Sequence, residues 1–264
     1  MKLKPITLEL TTFPKAFHKY LNAAKLYDSS CSPFAQVTYV EKDKGYFIKR
    51  SKKGSLEREV EMTTYFNSKG LSAKVLDYVQ DDLHDWVVTT KIPGFDCIEA
   101  IYLNNPTKLI DILAQRLFLL HQEDYTGCPI QNHTQRLLAS AENGYKKGRA
   151  EVSFLKIENL YEISSVKEAH LIVDKFGNSL QTNTLLHGDY CLPNIILNDW
   201  KFSGFIDLDT GGVGDRHVDI FWGIWTLQYN LGTAKYTNRF IDAYGSRYID
   251  KDVLKIVAAA EVFG

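Results

Sequence analysis

The sequence predicts an α+β fold of two lobes, with a β-rich N-terminal lobe over residues 1–91 and a mainly helical C-terminal lobe over residues 92–264. The first observation is that strand-like alternation of apolar and polar residues dominates the N-terminal part. The second is a Pro-Gly breaker at Lys91–Gly94, after which helical periodicity takes over. The third is size, since 264 residues that are 45% hydrophobic and 24% charged can bury a large core in a globular protein.

The N-terminal lobe is predicted to contain mainly strands and one helix. Alternating or β-branched stretches place strands at Ala35–Val40, Gly45–Lys49, Val75–Val79 and Trp86–Thr89. The first two strands form a hairpin, because a polar turn ending at Gly45 separates them. The helix spans Leu56–Phe66, a segment rich in helix formers, and Ser55 is its predicted N-cap.

The C-terminal lobe is predicted to be helical with one small sheet inserted. Segments with helical periodicity are Thr107–Glu123, Gln131–Asn143, Val166–Phe176, Asp219–Asn230, Lys235–Tyr244 and Lys251–Phe263. Between the third and fourth of these, Leu185–Asp207 has strand-forming composition and predicts the inserted sheet.

The distribution of charge along the chain indicates which kinds of ligand the protein could bind. Residues 1–60 contain twelve of the 31 Lys and Arg residues but six of the 32 Asp and Glu residues, which favours an anionic ligand there and a cationic ligand elsewhere. Uneven solvated charge explains this asymmetry equally well. The net charge of −1 does not indicate nucleic-acid binding.

The chain shows no sign of export or membrane insertion. Its four cysteines form no C-x-x-C pair, its opening MKLKPITLEL lacks the apolar core of a signal peptide, and no apolar run approaches the about 20 residues that cross a bilayer. We therefore expect a cytoplasmic protein without a membrane partner, as a monomer or homodimer.

The strongest functional signal is LHGDYCLPNIILNDWKFSGFIDLDTGG, which runs from Leu186 to Gly212. Its His-Gly-Asp triplet is followed after four residues by Asn194, and Asp207 ends an apolar strand thirteen residues later. This is the layout H-x-D-x-x-x-x-N…D of phosphotransfer loops in protein-kinase-like folds. Asp189 is therefore the predicted catalytic base or positioning residue, and Asn194 and Asp207 are the predicted Mg²⁺ ligands. Asp209 fits the ligand role less well, because Asp207 directly ends the strand.

The N-terminal lobe contains residues that complement this loop. Lys49 ends the segment YFIK and is predicted to meet the α- and β-phosphates of ATP. Glu59 on the following helix is predicted to pair with Lys49, with Glu57 and Glu61 as alternatives. Without the loop at Asp189, a solvated surface pair would be the default interpretation.

Several segments together resemble the aminoglycoside 3′-phosphotransferases (kanamycin kinases), within the wider choline-kinase-like superfamily. The segments are CSPFAQVTYV, YFIK, LEREVEM, TTKIPG, HGDYCLPNI, FSGFIDL, GVGDRHVDI and the terminal AEVF. The resemblance implies a bilobal protein-kinase-like fold with ATP and Mg²⁺ between the lobes. It implies phosphate transfer to a sugar hydroxyl of a polycationic antibiotic, the 3′-hydroxyl, which confers resistance. GTP remains open as an alternative donor.

The resemblance also implies binding residues. Ser32 with its neighbouring backbone would cover the nucleotide phosphates, although a plain turn is an equally good interpretation. The backbone around Thr90 and Ile92 would meet the adenine. Glu261 would bind the acceptor.

A polycationic acceptor needs carboxylates to replace the water around its ammonium groups. Besides Glu261, the candidates are Glu151, Glu158, Glu162 and the carboxylate of Gly264. A solvated helix face is the more ordinary interpretation of the first three of these.

Four other functions compete. A kinase of this fold acting on another small amino alcohol, sugar or antibiotic is the nearest. A nucleotide-binding regulator without turnover is disfavoured because Lys49, Asp189, Asn194 and Asp207 are all present. A metal-dependent hydrolase is disfavoured because His187 and Asp189 lack the spacing of metal ligands, and His187 is expected to brace the loop. A protein kinase is disfavoured by the glycine in His-Gly-Asp and by the short segment between Asp207 and Asp219.

Overall fold

A computed structural model describes residues 3–264 and contains the following elements. The strands are β1 (Lys4–Ile6), β2 (Lys25–Asp28), β3 (Ala35–Glu41), β4 (Tyr46–Lys52), β5 (Val75–Gln80), β6 (His84–Thr90), β7 (Phe95–Asp96), β8 (Lys156–Ile157), β9 (Tyr161–Glu162), β10 (Thr184–Leu186), β11 (Ile195–Asn198), β12 (Lys201–Phe205) and β13 (Gly212–Gly214). The α-helices are α1 (His18–Leu21), α2 (Glu57–Ser68), α3 (Ala100–Leu103), α4 (Pro106–Leu120), α5 (His133–Lys146), α6 (Val166–Phe176), α7 (His217–Leu231), α8 (Thr237–Tyr244) and α9 (Lys251–Glu261).

The chain divides into two compact units. The first contains the described residues up to Asp96 together with residues 195–199 and 203–209, and the second contains residues 97–194, 200–202 and 210–264. The first unit is rich in β-structure and the second is mainly helical, as expected from the sequence. The assignment of the nucleotide to residues 1–91 and of the acceptor to residues 92–264 stays a prediction.

The first unit is built on a six-stranded antiparallel sheet in the order β1-β2-β3-β4-β6-β5. Strand alternation directs neighbouring residues to opposite faces, so Ile48 is buried in the core while Lys49 lies on the other face. Val40, Trp86 and Val88 pack with Ile48 in that core. Lys49 pairs with residues of β3 and of β6, so it is held in the interior of the sheet rather than at an edge.

Helix α2 begins differently from the sequence prediction. Ser55 is not its N-cap; the cap position is Leu56, whose backbone N–H donates to Asp85 Oδ2 at 2.8 Å. A carboxylate from β6 therefore accepts the amide of the cap residue itself, and no side chain of the cap residue accepts an amide of the first turn. Met62 and Phe66 are buried and fix the helix on its unit.

The second unit has a helical core that sequence periodicity predicted well. Leu109, Leu113, Leu117 and Leu120 of α4 are all buried and recur at steps of three or four. Short strands β10 and β13 pair antiparallel, from Thr184 opposite Gly214 to Leu186 opposite Gly212. Among residues 3–264, no helix is long and apolar enough to span a bilayer.

Short elements were not predicted. Strands β1, β2, β7, β8, β9 and β13 and helices α1 and α3 have two to four residues each. Such lengths are too short to show a hydrophobic period, and their pairing partners lie elsewhere in the sequence.

Candidate active site

The loop after β10 carries Asp189 in a half-buried position in the second unit. Asn194 lies in a single 3₁₀ turn after this loop and is buried. Its Nδ2 group donates to the carbonyl oxygen of Asp189 at 3.0 Å and to Oδ2 of the Asp189 carboxylate at 2.8 Å. The structure thus brings these two predicted site residues together, and the amide orients the carboxylate.

A fully buried carboxylate anchors the backbone before Asp189. Asp219 near the start of α7 accepts the backbone N–H of His187 and that of Gly188, both at 2.8 Å. It also accepts from His121 Nε2 at 3.2 Å. Burial alone would raise the pKa of Asp219, but the hydrogen bonds from His121 and His187 outweigh it and lower the pKa. Asp219 is therefore an ionised anchor for the catalytic loop.

His121 connects this anchor to α8. An ionised carboxylate can only accept hydrogen bonds, so His121 Nε2 carries the proton and Nδ1 accepts from the hydroxyl of Tyr244 at 2.8 Å. Burial lowers the pKa of His121, so the imidazole is neutral. His187 Nδ1 in turn accepts the backbone N–H of Asp189 at 3.3 Å, which is the bracing role expected for His187.

Asp215 supports the neighbouring segments rather than the loop itself. Its Oδ1 accepts from Nδ1 of His217 at 2.6 Å, and its Oδ2 accepts the backbone N–H of Gln181 at 2.8 Å. His217 Nε2 accepts the backbone N–H of Asp250, the N-cap residue of α9. Asp215 thereby joins the approach to β10 with the starts of α7 and α9.

Glycine is required at the centre of the His-Gly-Asp triplet. Gly188 has φ of +84°, and a Cβ built there would lie 2.3 Å from the backbone oxygen of Thr210. A side chain would therefore meet rigid backbone in addition to the cost of the left-handed conformation.

Gly188→Ala is expected to lower the free energy of unfolding by about 1–3 kcal/mol and to reduce kcat, because the clash must displace the loop that holds Asp189. Gly127→Ala is the matched control, since Gly127 has φ of +76° with no neighbouring heavy atom within 4 Å of the added Cβ. Denaturant unfolding and steady-state kinetics of both variants provide the test. Equal effects of the two substitutions would contradict the importance of the Thr210 contact.

In the first unit, three predicted residues form one charged cluster. Lys49 Nζ lies 2.7 Å from Glu59 Oε2 and 2.7 Å from Asp207 Oδ1. Burial alone would lower the pKa of Lys49, but the charges of the two carboxylates outweigh it and raise the pKa. Lys49 is a fixed positive charge with Glu59 as its partner, whereas Glu57 accepts from Gln80 instead.

Asp207 follows β12 in a strained conformation. Its φ is +61°, in the left-handed region that non-glycine residues rarely adopt, and its side chain is 54% exposed despite the contact with Lys49. Asp209 is engaged differently, because its two carboxylate oxygens accept from Nε and Nη2 of Arg58, each at 3.2 Å. The more accessible carboxylate of the two is Asp207.

Three further residues expected at the nucleotide lie in the first unit. Ser32 stands in a tight turn before β3, and its hydroxyl accepts the backbone N–H of Phe34 at 3.1 Å. Thr90 ends β6, and its hydroxyl accepts the backbone N–H of Lys74. Ile92 packs against Gly204, where a Cβ would lie 2.8 Å from the isoleucine Cδ1. Contacts of these residues with a nucleotide stay predictions.

Glu261 at the end of α9 is the acceptor candidate in the most unusual environment. Its Oε1 accepts from Nε1 of Trp222 at 3.2 Å. Burial raises the pKa of Glu261 to about 8, and the negative charge of Asp189 adds to the effect. An ammonium group placed beside Glu261 would favour its ionised form.

Glu261→Gln is expected to stabilise the protein more at about pH 9 than at about pH 5. The folded-state pKa lies above the ordinary value of 4.5, so between the two values the folded protein binds more protons than the unfolded chain. The free energy of unfolding of the unsubstituted protein therefore falls as pH rises toward about 8, and glutamine removes this fall. Thermal midpoints across this pH range, with exposed Glu158→Gln as control, provide the test. A difference in thermal midpoint between Glu261→Gln and the unsubstituted protein that does not change with pH would contradict the prediction.

The other acceptor candidates are exposed. Glu158 lies between β8 and β9, and its backbone oxygen accepts from Nε2 of Gln228. Glu162 pairs with Lys156 at 3.3 Å, and Glu151 accepts the backbone N–H of Ser153 at the start of a 3₁₀ turn. The contact of Glu158 with Gln228 is through the backbone oxygen, so the carboxylate of Glu158 takes no part in it.

Four residues that contact the site residues were not predicted from the sequence: His121, Tyr244, Trp222 and Arg58. His121 belonged to a helical apolar pattern, which indicated burial but not its partner. The other three contact residues distant in the sequence, so no local spacing indicated their positions.

The sequence of this chain is similar to those of known phosphotransferases. A sequence model described as the phosphotransferase enzyme family matches residues 35–257. The probable aminoglycoside 3′-phosphotransferase of Lactococcus lactis subsp. lactis is 46% identical over 262 residues, which covers 99% of each chain. The aminoglycoside 3′-phosphotransferase of Niallia circulans is 26% identical over 217 residues, which covers 79% of each chain.

Solved structures agree with the expected fold. The aminoglycoside phosphotransferase of Streptomyces rimosus superposes with a TM-score of 0.73 at 18% identity, covering 98% of this chain and 100% of that chain. The same protein in complex with ADP and streptomycin superposes with a TM-score of 0.70 at 19% identity, covering 86% and 90%. The predicted α+β, protein-kinase-like fold class is confirmed.

Proposed function

Because the chain belongs to the phosphotransferase enzyme family, we propose that it transfers the γ-phosphoryl group of ATP to the 3′-hydroxyl of an aminoglycoside antibiotic and so confers resistance. The resemblance to aminoglycoside 3′-phosphotransferases found in the sequence is confirmed by the relative at 46% identity. The observation that carries the reaction type is the loop at Asp189, whose carboxylate is oriented by Asn194 and whose backbone is anchored by Asp219.

Asp189 orients the acceptor hydroxyl and accepts its proton. A half-buried carboxylate with one oxygen held by Asn194 has its other oxygen left for a hydroxyl group. The anchor at Asp219 limits movement of the loop, so the carboxylate is positioned before the acceptor arrives. Phosphoryl transfer makes little demand on covalent chemistry, and positioning of this kind provides much of the acceleration.

Lys49 offsets negative charge on the nucleotide phosphates. Glu59 holds the ammonium group at 2.7 Å, so its position does not depend on the ligand. Its raised pKa keeps it charged throughout the physiological range. The excess of Lys and Arg in residues 1–60 adds to the attraction of an anionic donor.

Each of the two predicted Mg²⁺ ligands offers an oxygen atom of the kind that binds this ion. Asn194 uses its Nδ2 group on Asp189, which leaves its Oδ1 oxygen for a metal, and Asp207 provides an exposed carboxylate. Oxygen atoms of carboxylates and amides are the ligands that Mg²⁺ prefers. When bound, Mg²⁺ would offset charge on the transferring phosphate, and Asn194 and Asp207 would hold it.

The acceptor is proposed to bind through Glu261. Burial raises the pKa of Glu261 to about 8, and an ammonium group of an aminoglycoside beside it would favour the ionised form. Glu158 provides another carboxylate in the same unit, and this one is exposed.

The proposal is tested by identifying the product. Purified protein with Mg-ATP and kanamycin is expected to give an antibiotic carrying one phosphate, with the phosphorus coupled to the 3′ position in NMR spectra. Phosphate at another hydroxyl would overturn the 3′ assignment. Turnover only with choline or simple sugars would favour a different acceptor class.

A further inference from the structure

One face of α7 carries an aromatic stripe formed by Trp222, Trp225 and Tyr229. Residues at i, i+3 and i+7 of a helix share a face. The ring centroids of Trp222 and Trp225 are 5.5 Å apart at an interplanar angle of 83°. Those of Trp225 and Tyr229 are 5.1 Å apart at 14°, which is a stacked pair. The three rings therefore form one continuous row, in which Trp222 and Trp225 are partly buried and Tyr229 is exposed.

One end of this aromatic stripe is at the proposed acceptor site. Trp222 Nε1 donates to Glu261, and Glu261 lies close enough to Asp189 for the charge of Asp189 to raise its pKa. The stripe therefore starts beside the residues that would hold the reacting ring and extends toward the C-terminal end of α7.

The other end of the stripe is exposed. Tyr229 is 72% exposed. The buried face of α7 is formed by other residues, Phe221, Ile224 and Leu227, so the core does not require an aromatic residue at Tyr229. Phe154 packs edge-on against Trp222 and Trp225 and holds them in place.

The chemistry of the stripe favours a cationic ring ligand. The faces of tryptophan and tyrosine rings attract ammonium groups within about 6 Å of the ring centroid. Glu158 is held near this end of α7, because its backbone oxygen accepts from Gln228, the residue before Tyr229. The nearby Lys156 is paired with Glu162 and so adds little repulsion.

We propose that the aromatic stripe binds the outer amino-sugar rings of aminoglycosides that have three or four rings. This inference rests on the proposed function, since it extends the acceptor site of that reaction. Trp225 and Tyr229 would then determine acceptor specificity by favouring larger polycationic acceptors over two-ring fragments. They would not take part in the transfer itself.

The test compares two acceptors that share the reacting ring, two-ring neamine and four-ring neomycin. Tyr229→Ala is expected to raise KM for neomycin by about three- to tenfold while changing KM for neamine by less than about twofold. Values of kcat should stay similar for both acceptors. Tyr229→Phe keeps the ring and should behave like the unsubstituted protein. Phe176→Ala, which removes an exposed ring on α6, is the control for surface changes.

The outcomes separate this inference from the proposed function. Equal changes for neamine and neomycin, or no change for either, would overturn the stripe as a binding surface while leaving the transfer reaction intact. Absence of turnover by the unsubstituted protein on both acceptors would instead overturn the proposed function. Trp225→Ala should show the same selective change; if it unfolds because Phe154 loses its contact, Tyr229→Ala alone decides.

Discussion

Asp189→Ala is expected to lower kcat by about two to four orders of magnitude, which is the contribution of a positioned general base. The carboxylate is held by Asn194, and the loop is anchored to Asp219 through two backbone amides. Alanine keeps those backbone contacts, so the loss should fall on the chemical step rather than on folding. The affinity for Mg-ATP, measured by calorimetry, should change by less than about tenfold.

The control for this substitution is Asp174→Ala. Asp174 is an exposed carboxylate on α6 in the same unit, so the variant has the same change in net charge without a change at the loop. Turnover in Asp189→Ala comparable to that of the control would contradict the assignment of the base.

Asp207→Ala is expected to weaken binding of Mg-ATP by about ten- to a hundredfold, the loss of a charge-assisted contact. The exposed carboxylate is available to the metal, and Lys49 keeps Glu59 as its partner after the substitution. The loss should therefore depend on the metal. Calorimetry should show a large difference in nucleotide affinity between Asp207→Ala and the unsubstituted protein when Mg²⁺ is present. The difference should be small when excess chelator removes the metal.

Asp209→Ala is the matched control for the metal assignment. It removes a carboxylate two residues away that is paired with Arg58 rather than left accessible. This variant should bind Mg-ATP nearly as the unsubstituted protein does. If Asp209→Ala bound Mg-ATP more weakly than Asp207→Ala does, Asp209 rather than Asp207 would be the metal ligand.

The residues of the phosphotransfer loop could be located from the sequence because their spacing is local. Asp189 and Asn194 are five residues apart, and a short turn between two strands is enough to bring them together. Lys49 and Glu59 required only a strand followed by a helix, ten residues apart. In both cases a recognisable local pattern determines the contact.

The supporting contacts could not be located in this way. His121 lies 98 residues from Asp219, and Trp222 lies 39 residues from Glu261, so each pair depends on how helices pack. The start of α2 shows the same limit, because Ser55 has the right chemistry for an N-cap, yet the cap position is Leu56, whose amide donates to Asp85 of a distant strand. Tertiary contacts therefore decide what local propensity leaves open.

The most direct test of the account is acceptor-dependent release of ADP from Mg-ATP by the purified protein. Kanamycin- and neomycin-type antibiotics, choline and simple sugars would form the panel, with Asp189→Ala measured in parallel. We expect release that requires an aminoglycoside and is nearly abolished in Asp189→Ala. Release that is absent with every aminoglycoside, or that persists unchanged in Asp189→Ala, would contradict the proposed function.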